Sequence, residues 1–358
     1  MSTTFTAKKF LMQKANKACT IAVFGSGAMG SLFAAKFALQ QYRVFLIGTT
    51  WKDQIEHIKE NGLTLENPDH SLHKVPRSHL FPVSTVDQLL HQETTPNIFL
   101  FLTKTYFTSR AAQEAAKLLA AQNQRKKEFN NDVQFPPPHT TRTILTLQNG
   151  LYNGEQIAQH IPQDERQSTI VLHGITTHGA SMVGPGHVRH ANGIITRIAP
   201  LDQGHVQATK EMAHLLHSVG FETEAVLDQQ EAKRMFWMKL IVNAAINPLT
   251  AILDVPNGHL VESSHCRNMV RVIVQECMRV ARVSGVMLMM SEEEMVEHVL
   301  KVAEKTGGNT SSMRSDVMRG FPTEIDSING MIAREGEKCG VLTPVNNRLI
   351  RIIKQFQK

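Results

Sequence analysis

The chain has 358 residues, 42% of them hydrophobic and 20% charged, which fits a soluble globular protein of two domains. Its four cysteines (Cys19, Cys266, Cys277, Cys339) stand far apart, which excludes a zinc ribbon or a dense disulfide framework and fits a reducing compartment. No run of about 18 uninterrupted apolar residues occurs, which argues against a membrane-spanning helix, and a net charge of +6 without a recognisable module does not argue for nucleic acid.

Residues 1–20 carry Lys8, Lys9, Lys14 and Lys17, no acid, and several Ser and Thr. Phe10-Leu11-Met12 is too short for the apolar core of a secretory signal. A frayed extension of a cytoplasmic protein is the expectation, and an arginine-free mitochondrial presequence is its alternative. Ile21 to Phe24 then reads as a buried strand, Ser31 to Gln41 as a helix and Val44 to Ile47 as a second strand. A strand, helix, strand unit of this length predicts parallel strands with a right-handed crossover. Asn97 to Leu102 and Thr143 to Leu147 are further buried strands, with a helix from Arg110 to Ala121 between them. Residues 122–141 are polar and contain Pro136-Pro137-Pro138, so they are expected to form a surface insertion. The fold class is therefore α/β: a Rossmann-type parallel sheet domain over residues 21–203, then a mostly α-helical domain over residues 204–358. Helices are expected at 203–219, 229–255, 263–284, 291–306 and 345–357. Ser291 with Glu294 forms a capping-box pattern.

Gly25-Ser26-Gly27-Ala28-Met29-Gly30 is a G-x-G-x-x-G between a predicted strand and a predicted helix. In that context the first glycine serves the tight turn, the second the approach of a pyrophosphate, and the third close helix–strand packing. The helix N-terminus then faces the phosphate charge. An NAD-binding unit usually has Asp or Glu at the end of its second strand. Here Gly48-Thr49-Thr50-Trp51-Lys52 has none, and Thr49, Thr50 and Lys52 suit a 2′-phosphate, so the expected cofactor is NADP. Lys104 and Asn149 follow two of the predicted strands, at the edge where open α/β sheets bind ligands. Lys239, Asn243 and Asn247 recur at spacing four on an otherwise apolar helix. Such groups are costly to bury without partners, so a ligand-facing stripe is expected, with Lys239 available as a general acid. Ser311 to Asp316 and Thr323 to Gly330 form the last dense polar segment, read equally well as helix caps or as part of a site.

Together the G-x-G-A-M-G, the lysine of LTKTY, the QNG, the W-x-K-L-x-x-N-x-x-I-N-P-L-T-A helix and the SSM…TEID…NG segment resemble the 2-dehydropantoate 2-reductases, or ketopantoate reductases. The resemblance spans roughly residues 21–350. It implies NADPH-dependent reduction of the 2-keto acid 2-dehydropantoate to (R)-pantoate, towards pantothenate and coenzyme A, in a monomer or homodimer whose active site lies between a nucleotide-binding and a helical domain. It implies Lys239 as proton donor, and Glu324 near the nicotinamide and the lysine. Asn243, Asn247, Asn257 and Ser312 would be substrate ligands, and Asn149 would touch substrate and cofactor. Lys104 and Ala180 would contact the cofactor. Thr49 stands where well-known members have arginine. Three alternatives stay open: another NADP-dependent 2-keto or β-hydroxy acid dehydrogenase, a cofactor-binding sensor without turnover, and a metal enzyme using His173, His178, His187 and His190. No Asp or Glu stands among those histidines, so no metal ligands are assigned.

Overall fold

The computed structural model describes residues 19–90, 92, 94–130, 141–191 and 193–356, with the backbone alone over 123–130. The N-terminal extension to residue 18 and residues 131–140 of the expected insertion lie outside the described residues. Contacts divide the chain into two units. The first runs to Gln148 and resumes over Tyr152–Leu227; the second comprises Asn149–Leu151 and the chain from Asp228 onward.

In the first unit the order is β1 (Thr20–Phe24), α1 (Ala28–Leu39), β2 (Arg43–Ile47), α2 (Lys52–Asn61), β3 (Thr64–Glu66), β4 (Leu72–Lys74), β5 (Leu80–Val83) and β6 (Ile98–Phe101). There follow α3 (Thr108–Asn130), β7 (Arg142–Thr146), α4 (Asn153–Gln159), β8 (Thr169–Thr176), β9 (Gly179–Gly184), β10 (His187–Ala191), β11 (Thr196–Pro200), α5 (Val206–Ser218) and β12 (Thr223–Ala225). The main sheet has the order β12-β11-β8-β7-β6-β1-β2-β5. It is parallel from β5 to β8, and β11 is antiparallel to β8. The central strands are apolar on both faces, as a covered parallel sheet requires. Ile21 and Val23 face one core with Phe33, Leu46 and Phe221. Ala22 and Phe24 face the other with Phe99, Phe101, Ala115 and Leu118. The two-residue alternation of a strand produces that split.

Two features differ from the sequence expectation. First, α3 runs on to Asn130, so the expected insertion begins inside a helix. Gln122 is buried there: its Nε2 donates to the Pro96 carbonyl at 3.0 Å, and its Oε1 accepts from Arg142 Nε at 2.8 Å. Arg142 is in turn paired with buried Glu165. Second, a separate sheet of order β4-β3-β10-β9 packs on α1. Its parallel β3–β10 pair joins segments far apart in the chain, which local patterning does not reveal. The contacts divide the chain at Leu227–Asp228. β12 pairs with β11, and α5 packs on both, so these elements complete the first unit.

The second unit contains α6 (Gln229–Leu253), α7 (His259–Glu262), α8 (Ser264–Val283), α9 (Glu292–Lys305), α10 (Ser312–Met318), α11 (Asn329–Lys338) and α12 (Pro344–Gln355). The capping box forms as read: Ser291 N donates to Glu294 Oε2 at 2.7 Å, and Glu294 N donates to Ser291 Oγ at 3.2 Å. Long α6 is the axis, with α8, α9, α10 and α12 packed against it. By length and composition alone α6 is apolar enough to cross a membrane, although Lys239, Asn243 and Asn247 interrupt its apolar run. Its apolar residues, Leu240, Ile241, Ala244 and Ala245 among them, are instead the core of this unit.

Buried histidines give the first unit an acid limit. His178 Nδ1 and His190 Nε2 share a hydrogen bond at 3.1 Å, and both rings pack on Phe221. Burial pushes His173 and His190 down to about 4, the latter aided by the charges of His178 and Lys36. Both are neutral when folded and gain protons below about pH 6.5 when unfolded. Stability is therefore full above about pH 6.5 and falls as pH drops towards 4. Thermal unfolding between pH 7.5 and 4.5 should show this decline, and His190→Gln should flatten it. An unchanged slope in that variant would exclude His190 as a source.

Candidate active site

The glycine loop joins β1 to α1. Gly25 has φ +111, and a Cβ there would lie 2.9 Å from the Thr103 amide nitrogen. A Cβ on Gly30 would overlap the Gly25 carbonyl oxygen, so helix and loop approach as only glycine allows. A Cβ on Gly27 would meet nothing, which leaves open space at the head of α1. Gly27 is the N-cap of α1 and supplies no side-chain acceptor, and the first turn, Ala28 and Met29 included, carries no acid. Its amide groups are thus available to an anion. Ser26 is buried, and its carbonyl accepts from Ser31 Oγ at 3.1 Å. These features fit a dinucleotide pyrophosphate.

Beside the loop, a depression is lined by Gly25, Gly48, Thr49, Thr50, Phe107, Arg110 and Glu114 among others. Lys52 heads α2, is exposed, and is not among the lining residues. Arg110 carries no signal in the motif and escapes sequence reading. Its clue is position: it opens the helix after β6, on the side reached from the end of β2. Lys104 is half-buried before the turn Thr105–Phe107. Ala180 lies in β9 opposite His190, in the sheet that packs on α1.

In the second unit the spacing-four stripe gathers partners. Asn243 Nδ2 donates to Asn149 Oδ1 at 3.4 Å, and Asn149 Nδ2 donates to Glu324 Oε2 at 3.0 Å. Burial lowers Lys239 to about 8, opposed by the Glu324 carboxylate. Lys239, Asn243, Asn149 and Glu324 are therefore one cluster. Gly150 holds Asn149 there: it has φ +84, and a Cβ on it would lie 2.6 Å from the Ser327 carbonyl oxygen. Asn247, one turn beyond Asn243, is 7% exposed, and its side-chain amide has no hydrogen-bond partner among the described residues.

Two other expected ligands stand apart from this hydrogen-bonded cluster. Asn257 is buried with its Nδ2 donating to Thr306 Oγ1 at 3.0 Å, and its Oδ1 has no partner among the described residues. Ser312 is exposed at the start of α10. Ser311 before it is a helix cap, accepting from Arg314 N at 3.2 Å and sharing a 2.7 Å hydrogen bond with Thr250 Oγ1. That ties the start of α10 to α6.

Sequence reading missed the support of the stripe. Pro248 lies inside α6 and has no N–H, so the Ala244 carbonyl four residues earlier loses its helical donor. Asn329 Nδ2 donates to that carbonyl at 3.0 Å and to Asn346 Oδ1 at 2.9 Å. Asn346 Nδ2 donates to Glu276 Oε2 at 2.9 Å, and the carboxylate also accepts from the Val345 and Asn346 amides at the start of α12. The network thus links α6, α11, α12 and α8. Asn329→Ala should cost about 1–3 kcal/mol by leaving a buried carbonyl unpaired. Chemical denaturation should show that loss, and calorimetry should show unchanged NADPH affinity. An equally stable variant would remove Asn329 from this role.

Two family models match the chain. One, described as ketopantoate reductase PanE/ApbA, covers residues 21–203, and the other, ketopantoate reductase PanE/ApbA C terminal, covers residues 231–357. The 2-dehydropantoate 2-reductase of Halobacterium salinarum is 30% identical over 338 residues, 94% of this chain and 99% of that protein. That of Archaeoglobus fulgidus is 31% identical over 335 residues, 93% of this chain and 96% of its own. Among solved structures, D-mandelate dehydrogenase with NADH and anilino(oxo)acetate is similar with a TM-score of 0.77 and 25% identity, over 94% of this chain and 98% of that one. A PanE/ApbA family ketopantoate reductase from Ralstonia eutropha is similar with a TM-score of 0.75, also at 25% identity and the same coverage.

Proposed function

The chain belongs to the ketopantoate reductase family, and from that membership we propose that it reduces 2-dehydropantoate to (R)-pantoate with NADPH, Lys239 giving the proton. The observation that carries this reading is the Lys239–Asn243–Asn149–Glu324 cluster beside the unpartnered amide of Asn247. It supports a site for a small polar anion with one cationic acid.

The glycine loop would hold NADPH, which would supply the hydride for the keto carbon. The residues of the chain do the rest. Charge grows on the carbonyl oxygen as its carbon is reduced, and the Lys239 ammonium opposes it and then gives up a proton from Nζ. A lysine at about 8 is mostly protonated at neutral pH, yet releases its proton more readily than one at the ordinary 10.5. Asn243 is held by Asn149 and keeps a fixed orientation towards substrate. Asn247 has donors and an acceptor to offer a carboxylate or hydroxyl. Glu324 keeps Lys239 from falling further and anchors Asn149. Lys104 and Ala180 are read as cofactor contacts from the first unit, and Asn257 and Ser312 as further substrate contacts.

A second reading has one observation in its favour. The similar D-mandelate dehydrogenase was solved with NADH and anilino(oxo)acetate. It points to a different 2-keto acid reduced with NADH. Turnover of 2-dehydropantoate against a panel of aryl and alkyl 2-keto acids, with each nucleotide, separates the two. Preference for another acid by more than tenfold in kcat/KM would overturn the first reading.

Lys239→Ala should lower kcat by about 10²–10⁴-fold at saturating substrate and cofactor. A folded variant with near-normal turnover would remove Lys239 from the mechanism. The rate should also fall as pH rises through about 8, where the lysine loses its proton. Because Glu324 raises the lysine, Glu324→Gln should move that alkaline limb to lower pH. A limb that stays in place would show that Glu324 does not tune the acid.

A further inference from the structure

Taking NADPH as the cofactor of the proposed reaction, we infer that Arg110 is the residue that recognises its 2′-phosphate. In a Rossmann-type unit the adenosine ribose sits at the end of the second strand. Here that place is Gly48-Thr49-Thr50, directly after β2, and it forms one wall of the depression beside the glycine loop. A Cβ on Gly48 would crowd Ser26 Oγ and Ile55, so this wall is backbone drawn close to the loop. The turn Thr105–Phe107 adds Phe107 to the lining, and the first turn of α3 adds Arg110.

Charge in the depression favours a phosphate. The end of β2 offers no carboxylate to accept from a ribose 2′-hydroxyl, whereas Thr49 and Thr50 offer two hydroxyl donors. Arg110 is exposed and forms no ion pair among the described residues. Its planar guanidinium can hold a phosphate by two parallel hydrogen bonds, which a lysine cannot do. Lys52, the nearest cation in sequence, is outside the lining and has Asp53 beside it. Glu114 is the one acid in the lining, one turn beyond Arg110, and its Oε1 is paired with Lys117 Nζ at 3.2 Å. That pair lowers its repulsion of a phosphate. Phe107 supplies an apolar wall for the adjoining base.

The test is binding without substrate or turnover. Calorimetry would measure NADPH, NADH, adenosine 2′,5′-bisphosphate and 5′-AMP on the whole chain. Wild type should prefer the 2′-phosphorylated member of each pair. Arg110→Gln should weaken that member by about 10–100-fold, the loss of a charge-assisted contact, and leave NADH and 5′-AMP within about 2-fold. Arg110→Lys should recover part of the loss, and Lys52→Ala should change the ratio by less than about 3-fold. Equal weakening of both members by Arg110→Gln would assign Arg110 a structural role and overturn the inference. Wild-type preference for NADH, abolished by Glu114→Gln, would also overturn it by making the carboxylate the discriminator. Selective NADPH binding without reduction of 2-dehydropantoate would sink the proposed reaction and leave this inference standing.

Discussion

The Ala244 carbonyl has no donor in its own helix, because Pro248 sits four residues on. An unpaired carbonyl in a buried helix is costly, and proline adds a steric push on the same turn. Asn329 removes the first cost, and its second hydrogen bond passes the constraint on to Asn346 and Glu276. Glu276 is 1% exposed, yet it accepts from two amides at the start of α12 and from a side-chain amide. A buried carboxylate at a helix N-terminus is stabilised by those donors and by the helix dipole. One broken hydrogen bond in α6 thus fixes where three other helices meet it.

That constraint falls in the middle of the polar stripe of Lys239, Asn243 and Asn247. Ala244 lies between Asn243 and Asn247, so Asn329 grips α6 where its polar side chains leave. Thr250 continues the same logic, donating back to the Ile246 and Asn247 carbonyls at 3.0 and 3.1 Å and meeting Ser311. Sites built on helices keep tighter geometry than sites on loops when neighbours lock the helix. Here the locking residues come from TEIDSING and SSM, segments that sequence reading divides evenly between caps and a site. Ser311 caps α10, Asn329 supports α6, and Glu324 accepts from Asn149.

Legibility followed the range of the interactions. The glycine loop was readable because the turn, the close packing and the open face all arise within six residues. The Lys239, Asn243, Asn247 stripe was readable because spacing four is a property of one helix. Arg110 was not, because only the fold brings it into one lining with Thr49 and Thr50. The role of Asn329 was not, since it depends on a carbonyl 85 residues away. The short strands β3 and β4 carry little apolar alternation and exist through pairing with each other and with β10. Gln122 looked like the start of a polar loop, whereas Arg142 and the Pro96 carbonyl draw it into the interior.

Burial lowers Lys239, yet it keeps its proton up to about 8. Full burial of an unpaired ammonium drives its proton off well below neutrality, and such a group serves as a base. A direct ion pair holds the proton more firmly and blunts the acid. Glu324 accepts from Asn149 through one oxygen, and its charge raises the lysine against the effect of burial. The result, about 8, lies between those limits. Asn149 therefore has two linked effects: it holds Glu324 in place, and through Glu324 it sets how much positive charge Lys239 retains. The amide stripe and the acid are parts of one electrostatic unit, and the position of the QNG turn, fixed by the close approach of Gly150 to Ser327, sets its geometry.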